Sequence, residues 1–542
     1  MEKRLIVAIV LSFLVLMGYQ YFFNKPNKPV PAPAVTPAAA LPGTAGVALE
    51  KKPEPRAEAK PAPAEAKPAP DIAAVAGQAE AEVIVETSLY RAVWTNKGGV
   101  LKSWKLKLHK NGMKEELDLV PALAAEIGRY PFSLGFDDAA LAGLLNSSLF
   151  ETSQSVIDLR DGDSGELRFV FADGASVKAE KRYRFTGGNY ALETDIRVWK
   201  NDQPVSPSVL WGPGIGNPSP AELKKSFSAS RGSAVYTGGK VFRMNERKYK
   251  AEQSAYNFVD WAAYEENYFV ALFVLPPQKG QAAFLQEMNG QVPAYFVYVT
   301  EPRQAFIGPK DAEALKAFGH DTKKVISYGM FGGIAEILLI AVRFFHKLVP
   351  NWGVAIILLT IVIKIIFFPL TYSSTKSMAK MADLQPKVKA IRAKYKKAKS
   401  DIGQRRLMNE EMMKLYKEHG VNPAGGCLPM LIQLPVFWGV IRMLVVSVEF
   451  RHSPFVFWIR DLSVADPSYV TPILMGITQF ISQKMTPTSA DPSQAKMMLI
   501  MPVVMTVFFL NFQSGLVLYW LTTNVLQIGQ QAIINRMMHR QK

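Results

Sequence analysis

Apolar positions along the chain fall into three patterns, and each predicts a different kind of element. From Leu5 to Phe23 the chain is almost wholly apolar for about 19 residues, enough to cross a bilayer as a helix. Lys3 and Arg4 precede the run, and Tyr19, Tyr21, Phe22 and Phe23 close it, as at a membrane–water boundary. A cleaved signal peptide has a shorter apolar core and a small-residue cleavage site. Residues 1–24 are therefore expected to form an uncleaved transmembrane anchor, with its N-terminus cytoplasmic by the positive-inside rule. Residues 25–81 follow as Pro, Ala, Lys and Glu with almost no aromatics. Such a stretch buries too little apolar surface to offset chain entropy, so it is expected to be a disordered tether.

Between residues 82 and 322 the pattern changes to short alternating runs such as Leu167-Arg168-Phe169-Val170-Phe171 and Ala294-Tyr295-Phe296-Val297-Tyr298-Val299. Turn clusters, among them Asn96-Lys97-Gly98-Gly99 and Thr186-Gly187-Gly188-Asn189, separate them. A period of two with regular turns predicts antiparallel sheets, arranged as a β-sandwich. An N-in anchor would place this domain outside the cytoplasm. Acidic residues within it, such as Glu265-Glu266, are expected to be solvated rather than catalytic.

The last third alternates long apolar runs with basic segments. Residues 331–348 are apolar but carry Glu336, Arg343, His346 and Lys347, as expected of an amphipathic helix on the outer membrane surface or of one packed against protein. Spans are expected at about 352–370, 428–448, 469–485, 496–511 and 515–534. The last two come from splitting one long apolar block at Asn511-Phe512-Gln513-Ser514-Gly515. With the anchor this makes a polytopic α-helical membrane protein of six spans, both termini cytoplasmic, with residues 536–542 as a short basic tail. Residues 376–419 carry thirteen basic and five acidic residues. A short loop this basic is cytoplasmic, and helical spacing on both sides of Lys399 to Gln404 predicts an antiparallel helical hairpin. Its cations include Lys387, Lys389, Arg392, Lys394, Lys396, Lys397, Arg405 and Arg406. They read either as a solvated face beside anionic lipids or as a docking surface for the ribosome, the signal recognition particle receptor or an incoming chain.

Composition narrows the chemistry. The 542 residues carry a formal charge of +17, one cysteine (Cys427) and six histidines in no tight cluster. No disulfide framework or metal site is implied. No phosphate-binding glycine loop is present, since Trp211-Gly212-Pro213-Gly214-Ile215-Gly216 lacks the spacing. No cofactor and no enzymatic activity are expected, and nothing points to recognition of a nucleic-acid sequence.

Polar groups recur at one depth of the spans. Lys364 lies about 18 Å below Trp352 at 1.5 Å per residue. Thr360 is one turn above it, and Gln433 and Gln527 fall near the same level. Trp520, Asn524, Gln527 and Gln531 share one helical face. Facing lipid, these groups would cost several kcal/mol each, on the order of the penalty for an unpaired buried polar group. They are expected to turn inward around a hydrated, cytoplasm-facing groove centred on Lys364, for which the spans hold no matching acid. Snorkelling of Lys364 to the inner surface is the competing reading. An unpaired cation in such a groove would draw a short hydrophilic, especially acidic, segment part of the way across without full desolvation.

Several stretches resemble the YidC/Oxa/Alb family of membrane insertases. They are Asn351-Trp352-Gly353, Phe368-Pro369-Leu370-Thr371, Ser377 to Met381, Leu384 to Lys387, Val421-Asn422-Pro423 with Gly425-Gly426-Cys427, Pro472 to Gly476, and Ser514 to Tyr519. The similarity covers about residues 350–535, and the anchor, tether and large middle domain resemble the Gram-negative form. The resemblance implies five core helices around a hydrophilic groove and a periplasmic all-β super-sandwich of the galactose-mutarotase type. It implies a location in the cell inner membrane and nascent integral membrane proteins as clients. It also implies work with the Sec translocon (SecYEG, SecD and SecF) or independently of it. The family's groove cation, usually arginine, falls at Lys364, which keeps the charge and loses the bidentate fork. Its groove aromatic falls at Trp520, beside Tyr519, and Thr360 matches a client-contacting threonine. Two other functions are compatible with the pattern: a membrane transporter or channel, or a membrane-anchored periplasmic carbohydrate-acting protein.

Overall fold

The computed structural model describes residues 73–111, 114–216, 231–246, 254–290, 292–395, 401–421, 428–486 and 492–539. The expected anchor, residues 25–72 of the expected tether, and Lys396 and Lys397 lie outside the described residues. The described chain forms two compact units, one ending at Ile326 and the other beginning at Ser327.

Alternating side chains build the first unit. Val83 and Val85, then Tyr90, Ala92 and Trp94, then Leu167, Phe169 and Phe171 point inward along their strands, as the period of a pleated strand requires. Three sheets result. One runs in spatial order Glu116–Asp118, Val100–Lys110, Tyr90–Thr95, Glu82–Glu86, Val156–Asp158. The largest runs Lys240–Asn245, Gly232–Thr237, Trp261–Glu265, Phe269–Val274, Gln304–Pro309, Ala191–Lys200, Val177–Thr186, Ser164–Ala172, with Gln203–Val205 paired to Ala191–Lys200. The third runs Ser254–Asn257, Gln281–Asn289, Val292–Thr300, Ser208–Trp211, Leu134–Gly135. Ring contacts hold the large sheet against both smaller ones: Trp94 meets Tyr183 at 4.3 Å, and Trp211 meets Phe273 at 6.2 Å. This is a sandwich with the two five-stranded sheets opposite the nine-stranded one.

Three features depart from the expectation. Strands Glu82–Glu86 and Val156–Asp158 pair in parallel, whereas alternation with turns predicted antiparallel pairing throughout. A crossover of many residues between them permits that direction. Folded structure also begins before residue 82. Val75 bridges Ala172, Gly77 N–H donates to Leu149 O at 2.9 Å, and Asn96 Oδ1 accepts from Ala81 N–H at 2.8 Å. These are backbone attachments, so an Ala- and Gly-rich composition gave no sign of them. Finally, Glu265 is buried and not solvated. Its carboxylate takes Lys310 Nζ at 2.5 Å and Arg243 Nε at 3.0 Å, so both its oxygens are paired.

The second unit is helical: α1 (Gly332–Leu348), α2 (Trp352–Asp383), α3 (Gln385–Lys394), α4 (Ile402–Glu418), α5 (Leu428–Val446), α6 (Val470–Met485), α7 (Pro492–Phe509) and α8 (Ser514–His539). Among the described residues, α2 is the one helix long and apolar enough to cross a membrane; Ile432–Val446 and Ile500–Phe509 are shorter apolar segments. Asn351 caps α2, accepting from Val354 N–H at 3.1 Å. Gly353 lies so close to Phe455 that an added Cβ would come within 2.1 Å of its ring. The span expected to close near Pro369 belongs to a helix that runs on to Asp383. An internal proline removes one backbone donor, a loss that neighbouring groups can absorb. In α1, Ala335, Leu338, Leu339 and Val342 are buried, while Ile337, Ile340, Phe344 and Leu348 are exposed. The helix therefore presents apolar residues both inward and outward, and Arg343 pairs with Glu449.

Helix α6 packs along α8. Gly476 is placed where a Cβ would meet the Thr506 hydroxyl of α7 at 2.0 Å. The connection leading into α6 is organised by Asp466, which is 1 % exposed. Its carboxylate accepts from Ser468 N–H (2.9 Å), Ser468 Oγ (2.6 Å), Thr471 N–H (2.8 Å), the Thr471 hydroxyl and Trp458 Nε1 (3.2 Å). Burial alone would raise this carboxyl, but those donors outweigh it and hold it at about 2.

Candidate polar groove

Lys364 sits in the middle of α2 and is 8 % exposed. Its amine donates to Gln527 Oε1 of α8 at 2.9 Å. Three residues further along α8, Gln530 Nε2 donates to the Lys364 backbone carbonyl at 3.0 Å. That carbonyl lies just before the one that Pro369 deprives of a partner, where the helix backbone is least constrained. Among the described residues no carboxylate forms an ion pair with Lys364. The cation is thus lodged between two helices with an amide as its partner, and it does not reach for a helix end.

The other expected groove residues are near one another without forming a single ring around the amine. Thr360 is 1 % exposed and spends its hydroxyl on the Ile356 carbonyl of its own helix, at 2.7 Å. Tyr519 is buried and its hydroxyl faces the Gln433 side chain of α5. Trp520 donates from Nε1 to Gln479 Oε1 of α6 at 3.1 Å and stacks edge-on against Phe437 of α5 at 4.8 Å. Asn524 donates to the Met475 carbonyl at 3.1 Å. The face of α8 that carries Trp520, Asn524 and Gln527 therefore divides its attention: Gln527 turns to α2, while Trp520 and Asn524 turn to α6. Gln531, on the same face, is fully buried and donates to Asn535 Oδ1 at 2.9 Å.

Two residues of this polar seam escaped the sequence reading. Gln530 lies off the face drawn through Gln527 and Gln531, although i, i+3 spacing makes it a neighbour of Gln527. Gln479 was overlooked because it falls inside an apolar span. Its i, i+4 spacing from Gln483 could have marked a polar stripe on α6.

The hairpin cations Lys387, Lys389, Arg392 and Lys394 on α3, and Arg405 and Arg406 on α4, are all exposed. Lys394 pairs with Glu411 at 2.9 Å across the two helices, and Arg406 pairs with Glu410 at 3.0 Å along α4. Lys387 lies 3.0 Å from His419 Nε2. The spacing predicted a helix here, and α4 forms it with no residue buried.

A helical unit with a deeply placed amine and amides from several helices, carried in one chain with a β-sandwich unit, defines a class: helical membrane proteins with an appended β domain. Residues 82–341 match the family described as "YidC periplasmic domain", and residues 344–541 match "60Kd inner membrane protein". The membrane protein insertase YidC of Syntrophus aciditrophicus is 38% identical over 99% of this chain and 100% of its own length. That of Geobacter metallireducens is 37% identical over 99% of this chain and 98% of its own. A crystal structure of an active YidC insertase with its first transmembrane domain resolved covers 84% of this chain and 93% of its own, at 21% identity and a TM-score of 0.35. The chain belongs to the YidC membrane protein insertase family, an inner-membrane family with a periplasmic domain.

Proposed function

We propose that this protein inserts and folds integral membrane proteins of the inner membrane, with Lys364 as the cation that draws their hydrophilic segments into the bilayer. One observation carries the reading: an amine nine-tenths buried between α2 and α8, held by an amide and, among the described residues, by no acid. A positive charge kept uncompensated at this depth is costly and is retained where it has work to do. A client segment bearing a carboxylate offers the missing countercharge. Its apolar part then leaves sideways into lipid, driven by its own transfer free energy. The chain's own residues supply position and charge; no bond is made or broken.

The finer reading has six spans, both termini cytoplasmic and a periplasmic super-sandwich, with the five spans after residue 350 forming the core. The hairpin α3–α4 lies in the cytoplasm and offers its exposed cations to anionic lipids or to the ribosome and the signal recognition particle receptor. SecYEG, SecD and SecF are the assembly partners of this reading, and insertion also proceeds without them. The distribution of basic residues supports the topology, and the exposure of the hairpin cations supports the docking role.

The test is insertion into vesicles containing the purified full chain, scored by protease protection of a client with a short acidic external segment. Lys364→Arg should retain activity and Lys364→Glu should lower it at least about tenfold, the factor set by one reversed charge contact. Equal activity of the two variants would refute the groove.

A further inference from the structure

Among the described residues the single acceptor on Lys364 is neutral, and it belongs to a side chain that has somewhere else to go. An ammonium group carries three donors, and Gln527 Oε1 takes one of them at 2.9 Å. An amide oxygen is a weaker partner for an ammonium than a carboxylate is. Gln527 itself is half-buried, so its side chain has room to move. Three residues on, Gln530 is fixed by its Nε2, which donates to the Lys364 carbonyl, while its Oε1 is buried and accepts no hydrogen bond. Side chains at i and i+3 on a helix are neighbours. The Gln530 oxygen is thus an open acceptor within reach of the amide that holds Lys364.

We propose that Gln527 is the resident ligand of Lys364 and the residue that sets its selectivity: a client carboxylate displaces the amide from the amine, and the displaced Gln527 Nε2 donates to Gln530 Oε1. This rests on the insertase reading and adds an exchange to it. At rest the amide satisfies part of the ammonium without cancelling its charge. A neutral client segment gains nothing by competing with a neutral ligand, whereas an acidic one does. Exchange moves one hydrogen bond from Lys364–Gln527 to Lys364–client and gives the orphan oxygen of Gln530 a donor, so the oxygen left open is that of the half-buried Gln527 and no longer the buried one of Gln530. Gln527 is a positioning residue: it decides which acceptor the amine donates to without itself contacting the client.

The experiment compares two clients that differ only in Asp against Asn in the translocated segment, inserted by the full chain in vesicles. The readout is the ratio of acidic to neutral insertion rates, which cancels any general loss of packing. Gln527→Glu places a permanent carboxylate on the amine and should lower the ratio about tenfold, roughly the worth of one charge-assisted hydrogen bond. Gln527→Leu removes the competitor and should raise the ratio severalfold, and Gln527→Asn, one methylene too short to reach, should follow it in the same direction. Gln530→Leu removes the landing place and should lower the ratio. If Gln527→Glu and Gln527→Leu both leave the wild-type ratio unchanged, or reduce both clients equally, the exchange is wrong while the groove stands. If the wild-type protein itself shows no acidic preference, and Lys364→Gln changes nothing, the insertase reading of Lys364 fails first.

Discussion

At the scale of single residues, two buried ionisable groups make testable claims about pH. Lys181 is fully buried in the β unit, where its amine donates to the carbonyls of Gly98 at 2.6 Å and Phe132 at 3.0 Å, joining two loops to the large sheet. Burial pulls it down from 10.5 to about 7. Between those values the unfolded chain holds a proton that the folded chain does not. Stability therefore rises with pH across that window, by about 4–5 kcal/mol at most. Thermal melts of the protein from pH 7 to 10 should show the rise, and Lys181→Met should flatten it. Asp466 has the same sense in an acid window. Its carboxyl lies at about 2 against 3.8 in a free side chain, so its contribution is complete above about pH 5 and fades as pH falls through 2. Asp466→Asn keeps the shape but loses the charge on which five donors converge. It should cost about 2–3 kcal/mol near neutral pH and remove the acid dependence of unfolding in detergent.

At the scale of elements, the consensus of turns and apolar periods made most segments legible, and the misreadings have physical causes. The strands of the β unit follow from alternation because each buries one face, as Val83 and Val85 do. The attachment of residues 75–81 runs through backbone groups that composition does not report. Pro369 reads as a stop in sequence, yet α2 continues, because the decision belongs to neighbouring helices and not to the proline. In the candidate groove, the depth of Lys364, Gln433 and Gln527 could be counted from residue numbers. Which neighbour each would choose could not, since Asn524 and Gln527 lie on one face and turn to different helices. Gly353 supplies an element-scale test. A methyl group there would sit 2.1 Å from the Phe455 ring, so Gly353→Ala must push the loop that carries Phe455 off the start of α2. A loss of about 1–3 kcal/mol is expected, measured as a lowered melting temperature in detergent.

At the scale of the whole molecule, separation into two compact units implies that each can be perturbed alone. A fragment spanning residues 73–326 keeps all three sheets and the ring contacts between them. Expressed without the rest of the chain, it should unfold in one cooperative step by circular dichroism. The continuity of α2 has a consequence of a different kind. Its 32 residues extend about 48 Å, whereas the hydrocarbon layer is about 30 Å thick. Crossing that layer upright, the rod would leave about a third of itself clear of the lipid as a mast beneath the hairpin, and because each residue turns it by about 100°, mast height and heading would be coupled. Excising two residues between Tyr372 and Lys380 would swing the hairpin by about 200°, while excising seven would lower it by about 10 Å and restore its azimuth to within about 20°.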